Sequence, residues 1–514
     1  MTGHRNDGDN PAPNYFWRNV AAGVIFSVAA LIAMPLIGVE VSTTFNNDEG
    51  QVTWLTFFVG VFLTGWFFWW LIMSLSSRFS VRRGAMTGVL IALFAYPVVL
   101  TLAEIFQRGW SASFTGVVGT FPERMLNVLM LTGLTLLTTG FAATVIMAAT
   151  GATLAFVLVK VHPPTATRAR LHAERPRNAF IRGLWRVIYG VVVGVVLILT
   201  GIFAWLSLMP YAPLDQAKIQ HADAPAKSYE EGIAAFEAVQ VREGQMALHE
   251  RCHSTLLTHG KKVARVVVFF HGLTNCPAQA DELAPKLYDL GYNVYIPRLP
   301  GHGEADPMTL ALADVSAEDL MDNTNESIDL ARGLGDEVVV VGLSAGGTMS
   351  AWAAQYRMDV DNSISVAPFL GPHVVPAWAN HAATNLLLML PNMMVWWNPA
   401  ETVSAPEMDY AYPRFASHAL AQVMRLGGIV ESGARREPPM AGNMSMLLND
   451  ADLAVSNVLA EQLVASWRDH GQDVKVQIVP GSRRLPHDLI DPRQDGADVG
   501  FVYPLLIDMM NAQQ

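Results

Sequence analysis

Charge is scarce in this 514-residue chain: Asp, Glu, Lys and Arg make up 15% of it, against about 25% in an ordinary soluble domain. Beside a hydrophobic share of 51%, that shortage excludes a disordered chain and argues against a wholly cytosolic enzyme. Positive charge is scarcer still. The formal net charge of −11 offers no broad basic surface to phosphates, so a nucleic-acid partner is excluded. Cysteine is nearly missing: Cys252 and Cys276 rule out a disulfide-dense scaffold or a cysteine-rich zinc site, but permit one bridge. The first residues, MTGHRNDGDNPAPN, lack the basic region and short apolar run of a signal peptide. Residues 1–15 are therefore expected to form a disordered tail. What remains is the expectation of a membrane protein with a sizeable water-soluble part.

Long apolar runs are what the chain has in place of charge. A bilayer core demands roughly 20 apolar residues per helical span. Runs of that length lie near 17–38, 54–74, 85–106 and 187–208. A longer stretch, 125–159, is too long for one untilted span and too short for two with a loop, so one span is read near 136–159. Five transmembrane helices are thus predicted over 16–209. The 75–84 loop holds Arg78, Arg82 and Arg83, and the 160–186 loop is strongly basic, whereas the 39–53 loop offers only Glu40, Asp48 and Glu49. Loops rich in Lys and Arg face the cytoplasm. The alternation predicts an integral protein of a bacterial inner or plasma membrane. Its N-terminus would be cytoplasmic, and everything after Pro210 periplasmic or extracellular. No ionisable residue lies near the middle of any run, which favours an anchor over a transporter.

Residues 210–261 are polar and mixed, and read as a stalk with a helix near 229–239 followed by edge strands. From 262 to 514 the pattern is α/β. Continuous β-branched runs such as ARVVVFF (264–270) and EVVVVG (337–342) are expected of strands buried on both faces. Helical segments at 278–290, 316–333, 345–357 and 454–469 separate them and the strands at 292–297, 363–368, 444–448 and 474–479. Strands alternating with helices predict a doubly wound, mostly parallel sheet, whose chemistry collects at the carboxyl ends of the strands. An insertion over about 370–442 is expected to be a helical cap.

The chemistry-bearing residues fall at those strand ends. Gly342-Leu343-Ser344-Ala345-Gly346 is a G-x-S-x-G. Chance alone produces that pattern in roughly one such glycine-containing chain in six or seven, so the context decides. The motif leaves a valine-rich strand and opens a helix directly, as a nucleophile elbow requires. The alternative, a glycine-rich turn with an incidental serine, does not ask for that placement. His271-Gly272-Leu273-Thr274-Asn275 follows an earlier strand. Its Leu273 N–H and the Ala345 N–H could form an oxyanion hole. His271 itself reads as a structural loop histidine. The partners of Ser344 should follow in the order acid, then histidine. His487, in Leu485-Pro486-His487-Asp488, is the candidate general base, and Asp452 the acid that orients it, with Asp450 as the competing acid. Asp488 reads as a cap of the next segment. His373, His381 and His418 show no metal-ligand spacing.

The segments VVVFFHGLTNCPAQ, YNVYIPRLPGHG, VVVVGLSAGG, LLNDAD and LPHDLIDP resemble the α/β-hydrolase superfamily, and most of all bacterial carboxylesterases and monoacylglycerol-lipase-like serine hydrolases. The resemblance covers about 262–510 and says nothing of 1–209. It implies a Ser344, Asp452, His487 triad, an oxyanion hole from Leu273 and Ala345, and neither metal nor organic cofactor. One departure is Asn449, where relatives usually have Gly. The implied activity is hydrolysis of small-molecule carboxylic esters or lipids through an acyl-enzyme. An acyltransferase, an aminopeptidase, or a non-catalytic lipid-binding or sensor module on the same fold are the alternatives. Outside the cytoplasm Cys252 and Cys276 could persist as a disulfide. Such a bridge would stiffen the oxyanion loop. The oligomeric state is left open.

Overall fold

The computed structural model describes residues 15–36, 48–74, 80–108, 140–161, 190, 194, 197–215, 224–397 and 410–511. The tail over 1–14 lies outside the described residues. So do most of the loops whose charges oriented the chain (39–47, 75–79, 109–124 and 162–186) and the first part of the long apolar stretch, 125–139. The chain divides into two compact units, Met1–Ala204 and Trp205–Gln514.

Four of the five apolar runs fall, as far as they are described, in helices α1 (Tyr15–Leu36), α2 (Asp48–Trp69, extended by a π-helical turn Trp70–Ser74), α3 (Val81–Arg108) and α4 (Gly140–Val161); of the fifth, 187–208, residues 187–189, 191–193 and 195–196 lie outside the described residues. Helices α1 to α4 pack on one another. Phe26, Trp69, Ile72, Met73, Ile91 and Met147 form one buried cluster. Helices α3 and α4 approach so closely that a Cβ placed on Gly88 would lie 1.9 Å from the Met147 carbonyl oxygen.

This arrangement corrects the sequence reading. Among the described residues no helix is long and apolar enough to cross a membrane. The five-helix transmembrane domain, the membrane embedding and the integral-membrane localisation with a periplasmic or extracellular hydrolase domain are therefore not supported. The physical reason is that an apolar run reports only that a helix is shielded. Helices packed on several sides of each other show such runs too. The helix bounds also bring polar residues into the runs: α2 starts at Asp48 and Glu49, and α3 carries Arg82, Arg83, Glu104 and Arg108.

The second unit is an α/β-hydrolase fold. Helix α5 (Tyr229–Glu243) is capped by Ser228, whose Oγ accepts the Glu231 N–H, and precedes strand β1 (Thr255–Leu257). Then follow β2 (Val263–Phe270), α6 (Leu283–Asp289), β3 (Asn293–Ile296) and α7 (Ala317–Leu334), the last opened by a Ser316/Asp319 capping box. Next are β4 (Gly335–Leu343), α8 (Ala345–Tyr356) and β5 (Asn362–Val366). The insertion holds α9 (Asn380–Met389), β6 (Met394–Trp396), β7 (Arg414–Ala416) and α10 (Ser417–Ala434). Strand β8 (Asn443–Asn449), α11 (Asn457–Asp469), β9 (Val474–Val479) and α12 (Val499–Asn511) complete the unit.

Seven strands form a mixed sheet in the order β1-β3-β2-β4-β5-β8-β9, parallel throughout except for the antiparallel edge strand β1. The register pairs Phe270 with Gly342 and Leu343 with Val366, so the loops after β2, β4 and β5 leave the sheet at one end. The valines Val266–Val268 and Val338–Val341 are buried on both faces, as their uninterrupted apolar pattern predicts. The cap differs from the helical expectation. It includes β6, which pairs antiparallel with β7 over Met394↔Ala416 to Trp396↔Arg414.

Candidate active site

Ser344 stands between β4 and α8 with φ 58° and ψ −113°. For a residue with a Cβ that conformation costs about 1–3 kcal/mol, and it persists only where the surroundings over-determine it. Here the Ser344 N–H donates to the Val366 carbonyl at 3.0 Å, and the Phe369 N–H donates to the Ser344 carbonyl at 3.0 Å. The flanking glycines are a steric necessity. A Cβ on Gly346 would lie 2.0 Å from the Phe270 carbonyl oxygen, and one on Gly342 2.0 Å from that of Gly346. Ala345 opens α8, so its N–H has no acceptor inside the helix.

The loop after β2 lies beside this turn: a Cβ built on Gly272 would sit 3.6 Å from Ser344 Cβ. Leu273 N–H donates to no described residue. The next residue, Thr274, has φ 67°. It is pinned from the cap, where Tyr412 N–H donates to its carbonyl at 2.8 Å and Trp397 Nε1–H to its Oγ1 at 2.7 Å. His271 is buried. Its Nε2 accepts the Leu299 N–H at 3.1 Å, which leaves Nδ1–H to donate to the Gly272 carbonyl at 2.9 Å. Burial, with His302 adjacent, holds it well below the usual imidazole range, so it stays neutral in this structural position.

His487 follows β9, and its Nδ1 lies 2.6 Å from Asp452 Oδ2. The other Asp452 oxygen, Oδ1, accepts the Ala454 and Val455 N–H groups at 2.8 and 3.2 Å. Burial would push Asp452 up, but the His487 charge and these hydrogen bonds hold it below the ordinary carboxylate value. Burial would likewise push His487 down, yet the Asp452 charge and hydrogen bond outweigh it and raise the imidazole. Asp450, the competing acid, is exposed to solvent. The structure thus joins His487 to Asp452 and brings the Leu273 loop to Ser344. No hydrogen bond joins Ser344 Oγ to His487 among the described residues. Such contacts often tighten only when substrate binds.

Several groups around the site escaped the sequence reading. Asp488 does cap the next turn, its Oδ1 accepting the Ile490 and Asp491 N–H groups. Its Oδ2, however, accepts from Gln279 Nε2 at 2.6 Å and Asn275 Nδ2 at 3.3 Å. Tyr410 of the cap donates to Asp491, which Arg493 also grips. Cys252 and Cys276 are bonded, with Cα atoms 5.2 Å apart, and are buried beside Ala278 and Tyr410. His381 and His418 make structural bonds to the Met209 and Leu390 carbonyls. Among the described residues no group of three or more His, Cys, Asp or Glu could hold a metal ion. An open apolar groove of about 560 Å³ between α1 and α4, lined in part by Ile25, Val145 and Leu154, offers no titratable group.

A family model described as serine aminopeptidase, S33, matches residues 261–423. That stretch, about a third of the chain, carries the Leu273 loop and Ser344 but ends before Asp452 and His487. No curated protein matches the sequence. Among solved structures the chain is similar to one reported with LipS and LipT, two metagenome-derived lipolytic enzymes, at 19% identity over 51% of this chain and 98% of that one, TM-score 0.40. It is similar to the monoacylglycerol lipase of Paleococcus ferrophilus at 18% identity over 52% and 98%, TM-score 0.39. A soluble variant of monoglyceride lipase from Saccharomyces cerevisiae, in complex with a substrate analog, is similar at 13% identity over 50% and 90%, TM-score 0.40. The match over 261–423 agrees with the sheet topology of the second unit and supports the carboxylic ester hydrolase expected from the sequence.

Proposed function

We propose that the second unit hydrolyses carboxylic esters of apolar acyl groups through an acyl-enzyme on Ser344. The observation that carries this reading is the strained turn at Ser344, φ 58°, in the same unit as a His487–Asp452 pair at 2.6 Å. Ser344 Oγ attacks the ester carbonyl carbon as His487 Nε2 takes its proton. The carbonyl π electrons move to oxygen, where the Leu273 and Ala345 N–H groups meet the developing charge. Collapse breaks the ester bond, and His487 returns the proton to the departing alcohol. Water then repeats the sequence against the acyl-serine and releases the acid. Asp452 holds His487 with its proton on Nδ1, so that Nε2 is free to accept. The cap supports an apolar acyl group: Met393, Met394, Val395 and Trp396 form a half-buried row.

The test is fluorophosphonate labelling of the purified full chain beside Ser344→Ala, with nitrophenyl esters of short and long acyl chains. Labelling and ester turnover that both vanish in the variant support the reading, and the chain-length profile defines the acyl site. A wild type that neither labels nor cleaves ester overturns it. The description of the matched family favours amide cleavage as the second reading. Aminoacyl nitroanilides in the same assay decide it: turnover of these above that of the esters would make the unit a peptidase.

A further inference from the structure

The loop that carries the Leu273 N–H is gripped by side chains that the reaction itself does not consume. Gln279 Oε1 accepts the Gly272 N–H at 2.9 Å, and Asn275 Oδ1 accepts the Cys276 N–H at 2.9 Å. These backbone donors fix which way each amide faces, since an amide nitrogen cannot accept. Both NH₂ groups are therefore turned towards Asp488, whose Oδ2 receives them at 2.6 and 3.3 Å. Asp488 is the residue directly after His487, and its Oδ1 holds the Ile490 and Asp491 N–H groups. Gln279, Asn275 and Asp488 are 2%, 7% and 8% exposed, so water does not compete for these bonds.

We propose that Gln279 and Asp488 are positioning residues, which fix the oxyanion donor Leu273 and the general base His487 relative to each other through one buried hydrogen-bond chain. The inference rests on ester hydrolysis at Ser344. Leu273 lies between the two gripped points, Gly272 and Asn275–Cys276, so its N–H direction follows from theirs. Both oxygens of Asp488 accept two donors. An asparagine there would set a donor against a donor whichever way it turned, on the His487 loop or on the oxyanion loop. The coupling therefore needs a carboxylate at 488 and an amide at 279.

The experiment uses the full chain and nitrophenyl butyrate. It compares kcat, KM and fluorophosphonate labelling rate for wild type, Gln279→Ala, Gln279→Glu and Asp488→Asn from acid to alkaline pH. Misplacing one oxyanion donor should lower kcat and the labelling rate about 10- to 100-fold, with KM moving less than about threefold. Gln279→Glu supplies the distinguishing signature. Its carboxyl keeps an acceptor for the Gly272 N–H but turns a second oxygen to Asp488, and only a shared proton restores that bond. Its kcat relative to wild type should thus rise as pH falls. The titratable groups facing the pair are His487 and Asp491 on the same loop and Tyr410 and Tyr503 from neighbouring elements. These are present in both proteins, so the wild-type profile is recorded beside that of the variant at every pH. An active wild type whose Gln279→Ala and Asp488→Asn variants keep kcat within about twofold overturns the coupling. So does a Gln279→Glu ratio that is flat with pH, a result that decides the matter even where Asp488→Asn does not fold. A wild type with neither labelling nor turnover removes the ester-hydrolase reading first, and this inference with it.

Discussion

Replacing Asp452 by Asn keeps the side chain's shape while turning one acceptor into a donor, and the structure says what that does to the His487 proton. Asp452 Oδ1 sits 2.8 and 3.2 Å from the Ala454 and Val455 nitrogens, which are fixed backbone donors. The single carbonyl oxygen of Asn is drawn to them, so its NH₂ group faces His487 Nδ1 across the present 2.6 Å contact. An NH₂ group needs an acceptor, so the imidazole places its own proton on Nε2, where it cannot take the serine proton. The expected loss in kcat is roughly 10³- to 10⁴-fold, which is about 4 to 5.5 kcal/mol of transition-state stabilisation. The pH profile gives an independent readout. A general base works only when neutral, and Asp452 raises His487 above its ordinary value of 6.5. The acid limb of kcat/KM in the wild type should therefore lie above that value, and residual activity in Asp452→Asn should show the limb moved down. Thermal unfolding of the second unit should shift little, because the amide keeps the Ala454 and Val455 bonds and donates to a neutral His487, leaving no buried charge unpaired. An Asp452→Asn enzyme that keeps more than about a tenth of wild-type kcat, or an Asp450→Asn enzyme that loses as much as Asp452→Asn, would refute the assignment of Asp452 as orienting acid.

Three further changes test other parts of the second unit. Gly346→Ala puts a methyl group 2.0 Å from the Phe270 carbonyl oxygen, so denaturant unfolding should show several kcal/mol of destabilisation and labelling at Ser344 should vanish. Burial pushes Glu318 up, but its hydrogen bonds from Arg425 and the Asp215 N–H bring it down to about 2. Breaking this buried pair with Glu318→Gln should cost about 3–5 kcal/mol near neutral pH. Because the folded pKa is depressed, the difference should persist above the unfolded glutamate value and shrink as pH falls towards about 2. Replacing both Cys252 and Cys276 by Ser opens a loop with a sequence separation of 24, and should lower stability by about 3 kcal/mol in a melting or denaturant series.

The sheet and its elbow were legible because they are written in local pattern. Val266–Phe270 and Val338–Val341 announce buried strands by unbroken apolar runs, and Gly342 and Gly346 announce where backbone segments touch. The cap was legible as an insertion but not in form. Met394–Trp396 makes a strand because Arg414–Ala416 lies beside it, a pairing that no local period records. The runs over 54–74 and 85–106 fall within the bounds of helical segments and that over 17–38 does so as far as Leu36, while their extension to membrane spans treated shielding as proof of lipid. Phe26, Trp69 and Met147 meet one another instead, and Gly84, Gly88 and Gly151 let α3 and α4 approach to backbone contact.

What the sequence hides most completely is the way the candidate site is held. Ser344, Asp452 and His487 each stand out by residue type and by position after a strand, since a reacting group has to be a nucleophile, an acid or a base. A group that only holds another in place carries no such mark. Gln279 and Asp488 are 209 positions apart, and Trp397 and Thr274 123. Amides, carboxylates and indoles at those separations look like ordinary surface chemistry until the chain closes. Yet a hydrogen bond in an oxyanion hole is worth kilocalories only when its donor is aimed beforehand. On the reading proposed above, that aim is set from two sides: by the Asp488 carboxylate through Gln279 and Asn275, and by the cap through Trp397 and Tyr412 on Thr274. On that reading the cap bears on the catalytic electrostatics. Changes in the apolar segment 386–397 should then be read in kcat as well as in chain-length preference.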